Sequence, residues 1–184
     1  SAFSSCTNLS QITIPDSVTS IGVSVFYSCT NLTSVTIGES VTSIGSWAFY
    51  DCTSLKKVHV TDIESWLNIK FDDGPANPLY YADNGLYIDG KPITSITIPD
   101  SVTSIGSYAF RNCTSLTSIT FPDSVTSIGY QAFGGCDSLK ELYITDIAAW
   151  CNIDFDVFNP LRYAENFYLN GELVTNLVIP GGVT

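Results

Sequence analysis

The sequence predicts a β-rich solenoid, a stack of short parallel strands built from repeats of 23 residues. Two periodicities and one energetic argument carry that prediction. Cys6, Cys29 and Cys52 stand 23 residues apart, as do Cys113 and Cys136; Phe3, Phe26, Phe49, Phe110 and Phe133 keep the same step, three residues ahead of each cysteine. Behind each cysteine, apolar residues recur at +3, +6 and +8, ending in the alternation of a strand with one buried face. One such unit cannot bury enough apolar surface to offset the entropy of ordering it, so the copies must stack.

Each rung can be followed in order. The strand core reads Leu9-x-x-Ile12-x-Ile14, Leu32-x-x-Val35-x-Ile37, Leu55-x-x-Val58-x-Val60, Leu116-x-x-Ile119-x-Phe121 and Leu139-x-x-Leu142-x-Ile144. A turn follows at Pro15-Asp16, Pro99-Asp100 and Pro122-Asp123, with Gly38-Glu39 as a variant. Proline lacks a backbone donor and ends a ladder, and the turn carboxylates (Asp16, Glu39, Asp100, Asp123) are expected to accept backbone donors. Val-Thr-Ser-Ile-Gly then recurs at 18–22, 41–45, 102–106 and 125–129, a second short extended piece stopped by glycine. The remaining residues, such as Ser107 to Phe110, leave room for one helical or 3₁₀ turn before the next cysteine.

Two insertions break the period and repeat each other, Thr61 to Phe71 and Thr145 to Phe155. Ile63, Trp66 and Leu67 have the spacing of a short amphipathic helix, and Thr61 with Glu64 has capping-box spacing. Asn-Pro-Leu-x-Tyr-Ala follows at 77–82 and 159–164, then Leu86-Tyr87-Ile88-Asp89-Gly90 or Phe167-Tyr168-Leu169-Asn170-Gly171. Asp-Gly and Asn-Gly between apolar runs signal hairpins. The expectation is an enlarged rung whose convex side swells before the core strand resumes at Ile96-x-Ile98-Pro99 or Leu177-x-Ile179-Pro180. The chain reads as one solenoid domain, 1–184, with regular repeats at about 1–60, 94–144 and 175–184 and enlarged insertions at about 61–93 and 145–174. Both ends fall within a repeat, which predicts a segment of a longer array with its export signal and anchor elsewhere.

The pattern Cys-x-x-Leu-x-x-Ile-x-Ile-Pro-x-x-Val-x-x-Ile-Gly-x-x-Ala-Phe closely resembles the BspA-like leucine-rich repeats, over essentially the whole chain. The Asn-Pro-Leu-x-Tyr-Ala insertions look like the longer repeats interspersed in such proteins. The resemblance implies a right-handed leucine-rich-repeat solenoid with short parallel strands in stacked rungs, short helical turns and two enlarged helix-plus-hairpin rungs. It also implies surface or secreted proteins of host-associated bacteria and some protists, several of them linked to adhesion.

Net charge is −11, with carboxylates scattered and no basic run. Phosphate binding needs clustered Lys and Arg, which argues against nucleic acid and an anionic membrane surface. No apolar stretch approaches the roughly 18–20 residues of a membrane span. The periodic cysteines read as a column of buried free thiols, because side chains stacked in register point the same way and disulfide torsion is demanding; Cys151 reads as a helix-face residue. No metal or other cofactor is expected. His59, the single histidine, lies at an outward strand position with no nucleophile at a recognisable spacing, so an enzyme is not expected. The sequons at Asn8, Asn31 and Asn112 fall on core repeat positions and read as coincidence.

The outward positions of the main strands are the candidate binding surface. One column runs Gln11, Ser34, Lys57, Ser95, Ser118, Glu141, Asn176, and its neighbour Thr13, Thr36, His59, Thr97, Thr120, Tyr143, Val178. The candidate contacts are Ser34, Thr36, Lys57, His59, Ser95, Thr97, Ser118, Thr120, Glu141 and Tyr143. Regular rungs carry Ser and Thr there, whereas Lys57/His59 and Glu141/Tyr143 depart just before the insertions. A monomer that recognises an extracellular or host protein is the leading expectation. Glycan binding through convex aromatics (Tyr27, Trp47, Tyr50, Tyr108, Tyr130) and a structural spacer are the alternatives.

Overall fold

The computed structural model describes residues 1–82, 85–156, 159–179 and 181; Pro180 and the Gly182–Thr184 stretch of the expected last repeat lie outside them. The first half contains β1 (Gln11–Thr13), β2 (Ser20–Ile21), β3 (Ser34–Ile37), β4 (Ser43–Ile44), β5 (Lys57–Val60), α1 (Ile63–Leu67), β6 (Lys70–Phe71), β7 (Leu86–Ile88) and β8 (Lys91–Pro92). The second half repeats the plan with β9 (Ser95–Thr97), β10 (Ser104–Ile105), β11 (Ser118–Thr120), β12 (Ser127–Ile128), β13 (Glu141–Ile144), α2 (Ile147–Cys151), β14 (Asp154–Phe155), β15 (Asn166–Leu169) and β16 (Glu172–Leu173). Two five-stranded sheets, β1-β3-β5-β7-β8 and β9-β11-β13-β15-β16, carry the main strands; β2-β4-β6 and β10-β12-β14 form the second ladder. Pairing is parallel throughout, except for the closing hairpins β7–β8 and β15–β16.

Register follows the repeat. Ser34 aligns with Gln11 and Lys57, and Val58 with Val35 and Leu86, so each inward side chain stacks on its counterpart. Val35, Val58, Leu116, Ile119 and Leu142 are fully buried. Phenylalanine and cysteine share the period because they bond from rung to rung. The Cys29, Cys52 and Cys136 thiols donate to the carbonyls of Phe3, Phe26 and Phe110, at 3.1, 3.2 and 3.1 Å. The rings stack as well, Phe26 on Phe49 at 5.2 Å and Phe110 on Phe133 at 5.1 Å.

In the place expected for a helical or 3₁₀ turn, the convex arcs of the regular rungs form consecutive turns, closed by three-residue backbone bonds such as Tyr50 N–H to Trp47 O at 3.2 Å. Two positions per arc take positive φ, Ser24, Trp47, Tyr108 and Gln131 at one and Ser5, Ser28, Asp51, Asn112 and Gly135 at the other. A left-handed residue breaks a right-handed helix. The backbone also bonds to the next rung, as Phe26 N–H does to Ala48 O (2.8 Å) and Phe110 N–H to Ala132 O (2.7 Å). The turn carboxylates also reach across rungs: Asp16 Oδ1 accepts from Glu39 N–H at 3.1 Å, and Asp123 Oδ1 from the Thr145 hydroxyl at 2.7 Å.

Three readings of the insertions need correction. The N-cap of α1 is Asp62, which accepts from Ser65 N–H at 2.8 Å, so the Thr61/Glu64 capping box does not form. Leu86–Ile88 is itself a main strand in register with Val58–Val60, and the strand at Ile96 begins a new sheet. Asn176 and Val178 lie in no strand; Asn166 and Tyr168 occupy the places beside Glu141 and Tyr143. The hairpin return displaces the chain by one strand, which composition alone does not reveal. Between the halves, Trp66 Nε1–H donates to Ala109 O at 2.8 Å. Buried Asn77 accepts from Leu79 N–H at 2.9 Å and donates to Tyr108 O at 3.1 Å.

Candidate functional site

Strand alternation turns residues 34, 36, 57, 59 and their counterparts away from the core, where they remain exposed or half-buried. Ser34 and Thr36 lie in the first sheet; Ser95, Thr97, Ser118 and Thr120 lie in the second, where Ser118 Oγ donates to Ser95 Oγ at 2.8 Å. These rungs offer only small hydroxyls.

The two departures from that pattern become clusters. His59 aligns with Tyr87 of β7, and the rings lie 5.0 Å apart; Lys57 Nζ sits 5.4 Å from the Tyr87 ring centre. Burial, and then the Lys57 charge, lower the His59 pKa from its ordinary value. His59 is therefore neutral at physiological pH, and Lys57 carries the positive charge of the patch. In the second sheet Tyr143 stacks on Tyr168 at 4.5 Å and 13°, and its hydroxyl donates to Glu141 Oε2 at 3.0 Å. Desolvation, and then that carboxylate, raise the Tyr143 phenol, which stays protonated. The clusters occupy equivalent rungs of separate sheets, one basic and one acidic, and no strand pairing joins them.

Sequence reasoning missed Tyr87 and Tyr168, the residues that complete both clusters. The signal was present in Leu86-Tyr87-Ile88 and Phe167-Tyr168-Leu169, which alternate like the core strands. The hairpin reading of those segments concealed their place in the sheet.

The convex aromatics chiefly cover one another. Tyr27 stacks on Tyr50 at 5.2 Å, Tyr80 bridges to Tyr108 at 5.7 Å, and Tyr108 meets Tyr130 edge-on at 5.6 Å. The Arg111 guanidinium lies 4.6 Å from the centre of the Tyr80 ring. Trp47 stands apart, 54% exposed. All six cysteines are free thiols. Burial pushes the pKa of both Cys52 and Cys113 up to about 12, the reverse of nucleophile activation. Among the described residues no cluster of His, Cys, Asp or Glu could hold a metal, and no helix is long and apolar enough to cross a membrane.

Stacked parallel rungs with buried columns of Leu, Ile, Val and Phe define a leucine-rich-repeat solenoid. The family model for the BspA type leucine rich repeat region matches in six copies over residues 1–71 and 84–177, and the chain belongs to that family. It is similar to a leucine-rich repeat protein from Bacteroides ovatus, with 30% identity over 86% of this chain and a TM-score of 0.48. The chain spans 42% of that protein. A leucine rich repeat protein of T. pallidum is 19% identical over 88% of this chain and 73% of its own, with a TM-score of 0.37. A leucine rich cell surface protein from Faecalibacterium prausnitzii is 17% identical over 89% of this chain and 80% of its own, with a TM-score of 0.28. No curated protein matches the chain.

Proposed function

We propose that the chain is a non-catalytic recognition module of an extracellular or cell-surface protein, binding a host or matrix protein through the sheet face of its solenoid. The observation that carries this reading is the placement of aromatic and charged side chains. Among the described strands they break the Ser/Thr face at Lys57–His59–Tyr87 and Glu141–Tyr143–Tyr168. Aromatic and cationic anchors dominate binding energy at protein interfaces, while small hydroxyls contribute little. Membership of the BspA-type family is consistent with the extracellular setting, and further rungs in a longer array would add contacts by multivalency.

Screening the purified chain as a monomer against host matrix proteins and glycans tests the proposal. Protein hits that disappear with Lys57→Ala/His59→Ala/Tyr87→Ala or Glu141→Ala/Tyr143→Ala are expected. Hits confined to glycans and lost with Trp47→Ala would replace this reading with carbohydrate recognition. Silence on both arrays would leave a structural spacer.

A further inference from the structure

The second ladder is interrupted at the junction between the halves. On the main face the chain steps from β5 to β7 and returns through β8 before β9 begins, while on the other face β6 is followed directly by β10. Among the described residues β6 pairs only with β4, and β10 only with β12. Each therefore turns a free edge of backbone donors and acceptors toward the other. Between them lies a cleft of about 510 Å³, lined by Leu67 to Gly74 on one side and by Ser104, Gly106, Ser107, Tyr108 and Tyr130 on the other. On the main face the parallel ladder continues from β5 to β7, while β6 has no such neighbour beyond it; strands in a sheet lie about 4.8 Å apart.

A second observation points the same way. Where a paired rung precedes it, the glycine of Val-Thr-Ser-Ile-Gly is packed by that rung's backbone; Gly22, in the first rung, meets only a Val25 methyl at 3.8 Å. A Cβ on Gly45 would meet Val23 N at 2.8 Å, and one on Gly129 would meet Ser107 N at 2.7 Å. Gly106 has the same place in the repeat, yet a Cβ there would meet nothing within 4 Å, and its φ is not positive. Neither conformation nor a neighbour demands glycine at that point. A backbone lying in the cleft would.

The geometry points to a strand-addition site: the β6–β10 cleft accepts an extended peptide segment of a partner protein, parallel to both edges. Such a strand would join the two three-stranded sheets into one of seven. The neighbouring register sets its side chains. It lies between Lys70 and Ser104 on the outer side and between Phe71 and Ile105 on the inner. A small polar residue facing out, followed by an apolar residue facing in and a glycine, matches that frame, as in the ladder's own Thr-Ser-Ile-Gly. Backbone pairing supplies affinity and the inward apolar residue supplies selectivity.

The probe is a synthetic peptide of sequence Asp-Ser-Val-Thr-Ser-Ile-Gly, that of residues 100–106, titrated into the isotopically labelled chain and followed by amide chemical shifts. The expected result is saturable shifts at Lys70, Phe71, Ser104 and Ile105. N-methylation of the peptide's last Ser and Ile should weaken binding about tenfold or more, because it removes backbone donors on both sides of the strand. Gly106→Val should fold and lose the peptide, whereas Gly129→Val should lower stability. Shifts that survive N-methylation, that centre on other strands, or that do not arise at millimolar peptide would overturn the proposal. Concentration-dependent shifts of the same amides without peptide would overturn it in favour of a second copy.

Discussion

At the scale of the residue, the cysteine column shows how stacking sets chemistry. A thiolate at Cys52 or Cys113 would lose its hydration and gain no cation, so burial lifts both to about 12 from an ordinary value near 9. Native labelling with a thiol reagent near pH 8 should therefore modify the half-buried Cys6 and Cys151 and spare Cys29, Cys52, Cys113 and Cys136, while denaturant should release all six. The same shifts fix a pH dependence. The unfolded chain loses these protons first, so the stabilisation is complete below about pH 9 and declines as pH rises toward 12. A denaturation midpoint that climbs through that window would contradict this. Much of the column was legible beforehand, because the interval between Phe and Cys repeats. The carbonyl each thiol meets belongs to another rung and was not legible.

At the scale of the element, the insertions matter most. Asp62 caps α1 through Ser65 N–H and the Ser65 hydroxyl, the latter at 2.7 Å. Asp62→Ala should cost about 1 kcal/mol and Thr61→Ala almost nothing, read from urea midpoints. Equal losses would restore the capping box. Trp66→Phe keeps most of the apolar volume but leaves the buried Ala109 carbonyl without its donor, for a loss of about 1–3 kcal/mol. The strands and insertions could be read from apolar spacing, proline and Asp-Gly. The arcs could not, because Trp47 and Tyr108 hold left-handed φ, and bulky side chains give no local sign of that conformation. Nor could the sheet membership of Tyr87 and Tyr168, since a hairpin signal says nothing about which edge its first strand joins.

At the scale of the whole molecule, stability is a sum over rungs and the contacts between neighbours. The two halves share the junction bonds of Trp66 and Asn77 and that of the Ser101 hydroxyl to Glu64 Oε1 (2.8 Å), but among the described residues no main-chain sheet. Asn77→Ala should therefore loosen that boundary, separating amide-exchange protection of residues 1–71 from that of 95–156; uniform loss across both would show the halves to be coupled elsewhere. Function follows the same division. Inward positions are dictated by stacking and regular outward positions repeat Ser and Thr, so the proposed recognition assigns specificity to the rungs that depart from the repeat. The most direct measurement is the dissociation constant for a protein ligand found by array, compared between Lys57→Ala/His59→Ala/Tyr87→Ala and a control altered on the regular face, Gln11→Ala/Ser34→Ala/Thr36→Ala. Weakening of about thirtyfold or more is expected for the first and less than about threefold for the control. Equal losses, or a loss confined to the control, would contradict it.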